Sequence, residues 1–257
     1  MTATSLAELV DRLRQARHVF VLTGSGISAE SGVPTFREAQ TGLWSRYSPQ
    51  QLATPEAFNR DPETVWQWYA WRREILATVQ PNAAHYAVAR LQALVPKLTL
   101  VTQNVDGLHQ KAGARNVLEF HGNLMTNRCS RDGSVQVVST ESSAAPPRCP
   151  DCGAYLRPGV VWFGEPIPAD VLQRSFDAAM ECDVYLSIGT SSMVYPAASL
   201  VEAAIQNDAT IVEVNPEATP LTRYVDYALA RKAGDILPEL ISRFAVELGA
   251  TGANYPC

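Results

Sequence analysis

"VFVLTGSGISAESGVPTFRE", residues 19–38, begins as a dinucleotide-binding turn and then departs from one. Val19 to Thr23 reads as a buried strand, Gly24-Ser25-Gly26 as a glycine turn, and Ile27-Ser28-Ala29 as the start of a helix. Glycines there let backbone N–H groups approach a pyrophosphate closely, and a helix N-terminus adds favourable positive potential. A dehydrogenase of the common kind would run that helix on for several turns. It would then place an acidic residue about 20 positions later to hold a ribose. Here Gly32 and Pro34 end the helix, and Trp44 stands near that point with no second strand before it. The break releases a loop carrying Phe36 and Arg37 at a strand end, a place where loops carry function. Taken alone, the glycines fit a plain tight turn equally well.

The chain around this stretch alternates. "SLAELVDRLRQA" has a helical apolar face in Leu6, Leu9, Val10 and Leu13, with Ser5 and Glu8 spaced as a capping box. Four apolar, β-branched runs, 18–23, 98–102, 184–188 and 210–214, read as strands buried on both faces. Helical patterns separate them, among them Ala83 to Leu94 and Leu237 to Leu248. The expected fold class is α/β, a Rossmann-like parallel sheet domain. Two stretches break the alternation. Residues 40–79 are rich in aromatics, with "TPEAF" and "DPETVWQWYAWRREIL" reading as short helices, and 123–157 lose apolar periodicity and hold clustered cysteines. The expected organisation is therefore a large domain of residues 1–38, 80–122 and 158–257. A smaller helical plus zinc-ribbon-like module is expected from 39–79 and 123–157.

With 257 residues and 46% hydrophobic content, the chain can bury a real core. No segment approaches the roughly 20 apolar residues of a membrane span, and a net charge of −5 argues against bulk nucleic-acid binding. Five cysteines, an odd number, and no basic-then-apolar N-terminal pattern point to a reducing compartment, expected to be the cytoplasm. No heptad repeat is visible, so a monomer is expected.

Polar residues follow the second strand in "TQNVDGLHQKAG", residues 102–113, where α/β proteins bind ligands. Asn, Asp and Gly at that place also suit a simple turn, and His109 suits a structural polar role. Together, "GSGISAESGVPTFR", "TQNVDGLHQKAG", "FHGN", "VVWFGE", "GTSS" and "VNPE" stand in the order and spacing of the sirtuin family of NAD-dependent protein-lysine deacylases, which the chain resembles from about Val19 to Glu239. Ser25 replaces the family's usual Ala, a small-for-small change.

The resemblance implies NAD as cofactor, its pyrophosphate on Gly24, Ser25, Gly26 and Ser28, with the Phe36–Arg37 loop over the nicotinamide ribose. It places Gln103, Asn104 and Asp106 around nicotinamide and its ribose, and Gly189, Thr190 and Ser191 by the phosphates. Asn215 falls at the adenosine ribose and Ala233 to Asp235 at the adenine. His121 of the His-Gly pair becomes the general base, although a lone His is more often structural; an imidazole of pKa about 6.5 suits that work. In the implied reaction the acyl-lysine oxygen attacks C1′ of the nicotinamide ribose and His121 activates a ribose hydroxyl, giving free lysine, nicotinamide and O-acyl-ADP-ribose. Acyl-lysine proteins are the implied partners, lying along Val161, Trp162, Phe163 and Gly164 as an open strand edge.

Tyr69 and Arg72 are three apart and so neighbours on a helix, a natural receptor for a carboxylate. The pattern, with small Ala53, resembles the desuccinylase and demalonylase branch of bacterial class III sirtuins, with deacetylation expected as well. Arg73 is a potential decoy at the next position. The family's structural zinc is held by two Cys-x-x-Cys pairs. Cys149 and Cys152 form one; Cys129 has Asp132 where the second Cys belongs. Either a Cys₃Asp zinc site or a module without metal follows. The rival readings are a mono-ADP-ribosyltransferase, separable by comparing lysine release with ADP-ribose transfer to protein, a non-catalytic NAD-sensing module, and a dehydrogenase. An intact His121, Asn104 and Asp106 speak against the sensor, and the missing ribose acid against the dehydrogenase.

Overall fold

The computed structural model describes residues 3–33, 48–136 and 145–249. Its centre is strand β1 (Val19–Thr23), buried along its whole length. β1 pairs in parallel on one side with β2 (Leu98–Thr102), which carries the short β3 (Leu118–Glu119). On its other side lie β7 (Val184–Ile188), β8 (Thr210–Val214) and β9 (Tyr227–Leu229), all parallel. The strand order is β3-β2-β1-β7-β8-β9. The winding reverses between β1 and β7, so the connections leaving their carboxyl ends run to opposite faces of the sheet and open a crevice above them.

Alternate side chains of β1 supply two cores. Val19 and Val21 pack with Leu100, Leu186 and Val212 against helices α1 (Ala3–Gln15), α6 (Ala83–Leu94) and α10 (Ala233–Glu247). Phe20 and Leu22 pack with Val101, Tyr185 and Ile211 against α8 (Ala169–Glu181) and α9 (Ser199–Gln206). Phe20 lies opposite Tyr185 in register, and their rings stack at 4.8 Å. This two-sided burial explains why the central strands read as unbroken apolar runs.

A second body stands beside this sheet. Helices α3 (Pro49–Leu52), α4 (Pro55–Arg60) and α5 (Pro62–Thr78) share a core with an antiparallel sheet of order β5-β4-β6, made of β4 (Gly122–Cys129), β5 (Val135–Gln136) and β6 (Leu156–Val160). Thr54 and Asp61 cap α4 and α5 by accepting from the Ala57 and Thr64 amides. Trp68 and Tyr69 of α5 are fully buried against Leu124, Val160 and Trp162. Arg73 ties α5 to β4, donating to the carbonyls of Leu124 and Thr126 and to Asn127 Oδ1 at 2.7–3.0 Å. The neighbouring Arg that competed with Arg72 in the sequence is thus a staple.

Three expectations are revised. α1 begins at Ala3, so Ser5 lies inside it and is not its cap. α10 begins at Ala233, four residues before the expected Leu237, with Pro238 inside it. Proline costs that helix one backbone hydrogen bond, and Ile236, Leu237, Leu240, Ile241 and Phe244 on its buried face offset the loss. Residues 123–157 contain strands: β4 shifts register between Gly122 and Asn127, which breaks the two-residue alternation that would reveal it.

Glycines bring the ends of β1 and β7 together. A Cβ on Gly26 would stand 2.7 Å from Gly189 Cα, and one on Gly24 would stand 2.8 Å from the Gly189 oxygen. We therefore expect Gly26→Ala to destabilise the fold by about 1–3 kcal/mol through overpacking, read as a lower urea midpoint. An unchanged midpoint would show that this contact relaxes freely.

Candidate functional site

Above the crevice, between the two bodies, lies a cleft of about 600 Å³. The turn after β1 supplies Gly24, Ser25 and Ser28, and the segment after β2 supplies Gln103, Asn104, Val105 and Asp106. The segment after β7 supplies Thr190 and Ser191, α5 supplies Tyr69 and Arg72, and Ala53, His121 and residues 160–165 complete the walls.

The glycine turn differs from the simple phosphate cradle. The Gly24 and Gly26 amides donate to the Ile188 and Gly189 carbonyls at 3.0 and 2.8 Å. These glycines let two strand ends meet backbone to backbone. Gly189 itself sits at φ +60, where a side chain is disfavoured. Helix α2 (Ser25–Ala29) then stops, with Gly32 at φ +80. Phe36 and Arg37 lie outside the described residues.

Ser28 is the hub of a buried network. Its hydroxyl donates to Asp106 Oδ2 at 2.7 Å and receives Asn104 Nδ2 at 3.1 Å. The Asn82 amide donates to His85 Nδ1, so Nε2 carries the proton and donates to Ser28 Oγ at 3.3 Å. Asp106 Oδ1 receives the Leu108 amide, and Asn104 Nδ2 also reaches the Gly24 carbonyl. The bonds from Asn104 and His85 to Ser28, and from Ser28 onward, thus lead to the Asp106 carboxylate. Burial pushes the His85 imidazole down to about 4, opposed by Asp106. His109, whose Nε2 is 2.9 Å from Thr23 Oγ1, is pushed down to about 3 by burial and by His85. Its role is structural, as its sequence context suggested.

His121 is fixed from three sides. The Phe120 amide donates to Thr102 O, the Val161 amide donates to His121 O, and His121 Nδ1 lies 3.0 Å from the Gln103 carbonyl. A carbonyl can only accept, so Nδ1 bears the proton and Nε2 keeps its lone pair. Burial lowers the imidazole pKa below its usual value, partly opposed by the Gln103 contact. The ring is consequently neutral at neutral pH, with the Nε2 lone pair left to accept a proton. Gly122 follows because a Cβ there would meet Gly159 O at 2.2 Å.

Tyr69 and Arg72 are also brought together in the cleft wall. Tyr69 is buried, its hydroxyl accepts from Trp162 Nε1 at 2.9 Å, and burial raises its pKa to about 12. Arg72 stacks over the Trp68 ring at 5.0 Å. Trp162 thus supports Tyr69 from within the core. The expected open edge at Val161 to Gly164 is corrected: past β6 the chain turns, and the amides of Val161, Trp162 and Phe163 donate to His121 O, Glu165 Oε2 and Ala53 O. Phe163 is half exposed, and Val194 and Tyr195 are exposed residues lining the same cleft.

Asn215 and Gly189 do not line the cleft wall; they brace it, Asn215 Nδ2 donating to the Thr190 carbonyl at 3.0 Å. Gly26 acts in the same way. Ala233 starts α10, and the next amide, that of Gly234, donates to Glu30 just past α2. Sequence reasoning missed Val194, Tyr195 and Pro196 in one wall and Ile75 and Leu76 in another. The last two were detectable, being three and four residues beyond Arg72 on one helix face.

Away from the cleft, the sulfurs of Cys129, Cys149 and Cys152 lie within 4.8 Å of one another, and those of Cys129 and Cys152 are 3.4 Å apart. Three thiols so gathered, largely enclosed with Leu156, suit a thiophilic ion such as zinc. Cys182 is separate and buried, and Cys257 lies outside the described residues.

The chain matches the Sir2 family over residues 24–196, more than half its length. It is 48% identical to the NAD-dependent protein deacylase 1 of Archaeoglobus fulgidus over 235 residues, covering 91% of this chain and 96% of that protein. It is also 48% identical to the NAD-dependent protein deacylase 1 of Pseudomonas aeruginosa, covering 91% and 97%. Among solved structures, a Sir2 homologue–NAD complex superposes with a TM-score of 0.89 at 46% identity, covering 94% of each chain. A Sir2 bound to acetylated peptide superposes at 0.81 with 30% identity, covering 96% of this chain and 99% of that one. No helix among the described residues is long and apolar enough to cross a membrane.

His85 and His109 make stability depend on pH. Both have folded pKa values depressed from 6.5, so the unfolded chain binds more protons below that value. Their contribution is full above about pH 6.5 and is lost as pH falls toward about 4 for His85 and about 3 for His109. Urea midpoints measured from pH 7.5 to 4.5 should fall, and His109→Gln should flatten the slope. A flat wild-type profile would contradict the buried neutral assignment.

Proposed function

Because the chain belongs to the Sir2 family, we propose that this cleft carries out NAD-dependent protein deacylation and that its acyl pocket accepts dicarboxylic acyl groups. The first part follows from the relatives and the assembled site. The second rests on one observation, Arg72 and Tyr69 facing the same cleft as His121.

The cleft suits NAD: the glycine contact admits no side chain, and Ser28, Asn104 and Asp106 converge beside it. NAD, when bound, would supply an electrophilic ribose carbon and, with nicotinamide as the leaving group, the ADP-ribose that accepts the acyl group. Gly24, Ser25, Thr190 and Ser191 would border its phosphates, with Gly26, Gly189 and Asn215 holding them in place, and Ala233 would lie on the adenine side. The network ending on Asp106 holds Asn104 and Ser28 rigid. The Gln103 carbonyl fixes the His121 tautomer, so Nε2 accepts a proton from a hydroxyl in the cleft. Phe163, Val194 and Tyr195 offer exposed apolar surface along the cleft for a bound substrate to cover. Two modules, residues 1–38, 80–122 and 158–257 against 39–79 and 123–157, would clamp the reactants, with zinc on the cysteines stabilising the smaller.

Trp162 holds the Tyr69 hydroxyl oxygen, leaving its proton for an acyl carboxylate. Burial lowers the pKa of Arg72, with nearby Tyr69 and Asp106 opposing the shift. An acyl carboxylate would add a partner of opposite charge, and the guanidinium fork suits two parallel hydrogen bonds. Ala53, small and buried, leaves space beside the pair. Succinyl- and malonyl-lysine fit this pocket, with acetyl-lysine accepted without the ionic contact.

Two substitutions separate chemistry from specificity. His121→Ala should cut turnover on every acyl-lysine peptide by about 10²–10⁴-fold while leaving the circular dichroism spectrum unchanged; near-wild-type turnover would refute its role as base. Arg72→Met should raise KM for succinyl and malonyl peptides at least tenfold, on the order of one charged hydrogen bond, and spare acetyl peptides. Equal losses on both classes would remove the specificity assignment.

A further inference from the structure

The three clustered thiols need a fourth donor to close a tetrahedral site, and Asp132 stands at the sequence position where one is expected. One oxygen of its carboxylate is committed to the turn, and the carboxylate also reaches the Cys129 side chain without joining the group of three thiols. Asp132 Oδ1 receives both the Ser134 amide at 2.9 Å and the Ser134 hydroxyl at 2.7 Å. Ser134 Oγ in turn receives Gln136 Nε2 at 3.1 Å, and the same Nε2 reaches Asp151 Oδ2 at 2.8 Å. These contacts lock the turn between β4 and β5 together with the Cys129–Ser134 and Gly133–Cys129 backbone hydrogen bonds. Gln136 thereby links Asp151 directly, and Asp132 through the Ser134 hydroxyl. Among the described residues the group that can share an ion contains Cys129, Cys149 and Cys152 and does not include Asp132.

The thiols are prepared for the ion. The Arg131 amide donates to Cys129 Sγ at 3.4 Å, and Arg131 Nη1 donates to the Cys152 carbonyl at 3.2 Å. Such outer contacts orient thiolates and offset their charge. We infer that this chain holds its metal through the three thiolates of Cys129, Cys149 and Cys152, and that Asp132 serves the turn and not the ion. This rests on the zinc reading above. Its consequence is a fourth position open to water or an outside ligand, and a metal more readily surrendered than from four thiolates.

The test is metal retention in the full-length, reduced protein, independent of deacylation. Zinc content and loss to a chromophoric chelator are measured for wild type, Asp132→Asn, Asp132→Cys and Cys149→Ala. Asparagine keeps the oxygen that Ser134 uses but removes the anionic ligand. We expect Asp132→Asn to hold zinc within about twofold of wild type, and Asp132→Cys to retain it about tenfold or more tightly. Cys149→Ala should lose it. With cobalt in place of zinc, Asp132→Asn should leave the thiolate charge-transfer bands unchanged and Asp132→Cys should strengthen them. If Asp132→Asn loses the metal as Cys149→Ala does, or shifts the cobalt spectrum, the three-thiolate assignment is overturned. If reduced wild-type protein takes up no zinc or cobalt at all, the metal reading itself fails and this inference with it, while the deacylase reading stands.

Discussion

The contact between the β1 and β7 strand ends is the constraint on which the cleft depends. Gly24, Gly26 and Gly189 pack main chain against main chain, with the Gly26 amide bonded to the Gly189 carbonyl. No side chain fits there, so the crevice opens directly above bare backbone. That closeness places the Ser28 hydroxyl beside Asp106 and the Gly24 carbonyl beside Asn104. The short helix behind the turn follows from the same arrangement. A long helix would carry the chain away from the crevice, whereas five helical residues and a left-handed Gly32 return it.

Electrostatics then divides the cleft into two regions. Around Asp106 the hydrogen bonds all point inward, and the histidines behind it are kept neutral by burial. Across from it, His121 is a neutral imidazole with one nitrogen committed to Gln103. Among the described residues, the cationic group of the wall is Arg72, which belongs to the smaller body and sits on a helix fastened by Arg73. Two adjacent arginines thus do different work: one fastens the helix, and the other faces the pocket.

The sequence made the central sheet legible because burial on both faces leaves little ambiguity in a β-branched run. Val184–Ile188 and Leu98–Thr102 match expectation to the residue. The antiparallel sheet escaped because β4 carries an irregular register and β5 has only two residues. Helix α10 was read too short because Pro238 resembles a first-turn proline, while its packing face overrides that preference. Within the site, residues carried by motifs met in the cleft, but their division of labour did not show in the sequence. The glycines bond to β7, and Trp162 supports Tyr69; only three-dimensional contact reveals either. Val194 and Tyr195 lie in an irregular segment whose periodicity carries no signal.

In this protein one cleft is proposed to couple cofactor cleavage to acyl removal. The most direct measurement follows an isotopically labelled acyl-lysine peptide with NAD by mass spectrometry, counting nicotinamide, free lysine and the labelled acyl group. The account predicts one nicotinamide per lysine released, with the label on ADP-ribose. Labelled free carboxylic acid formed at the same rate without NAD would contradict it.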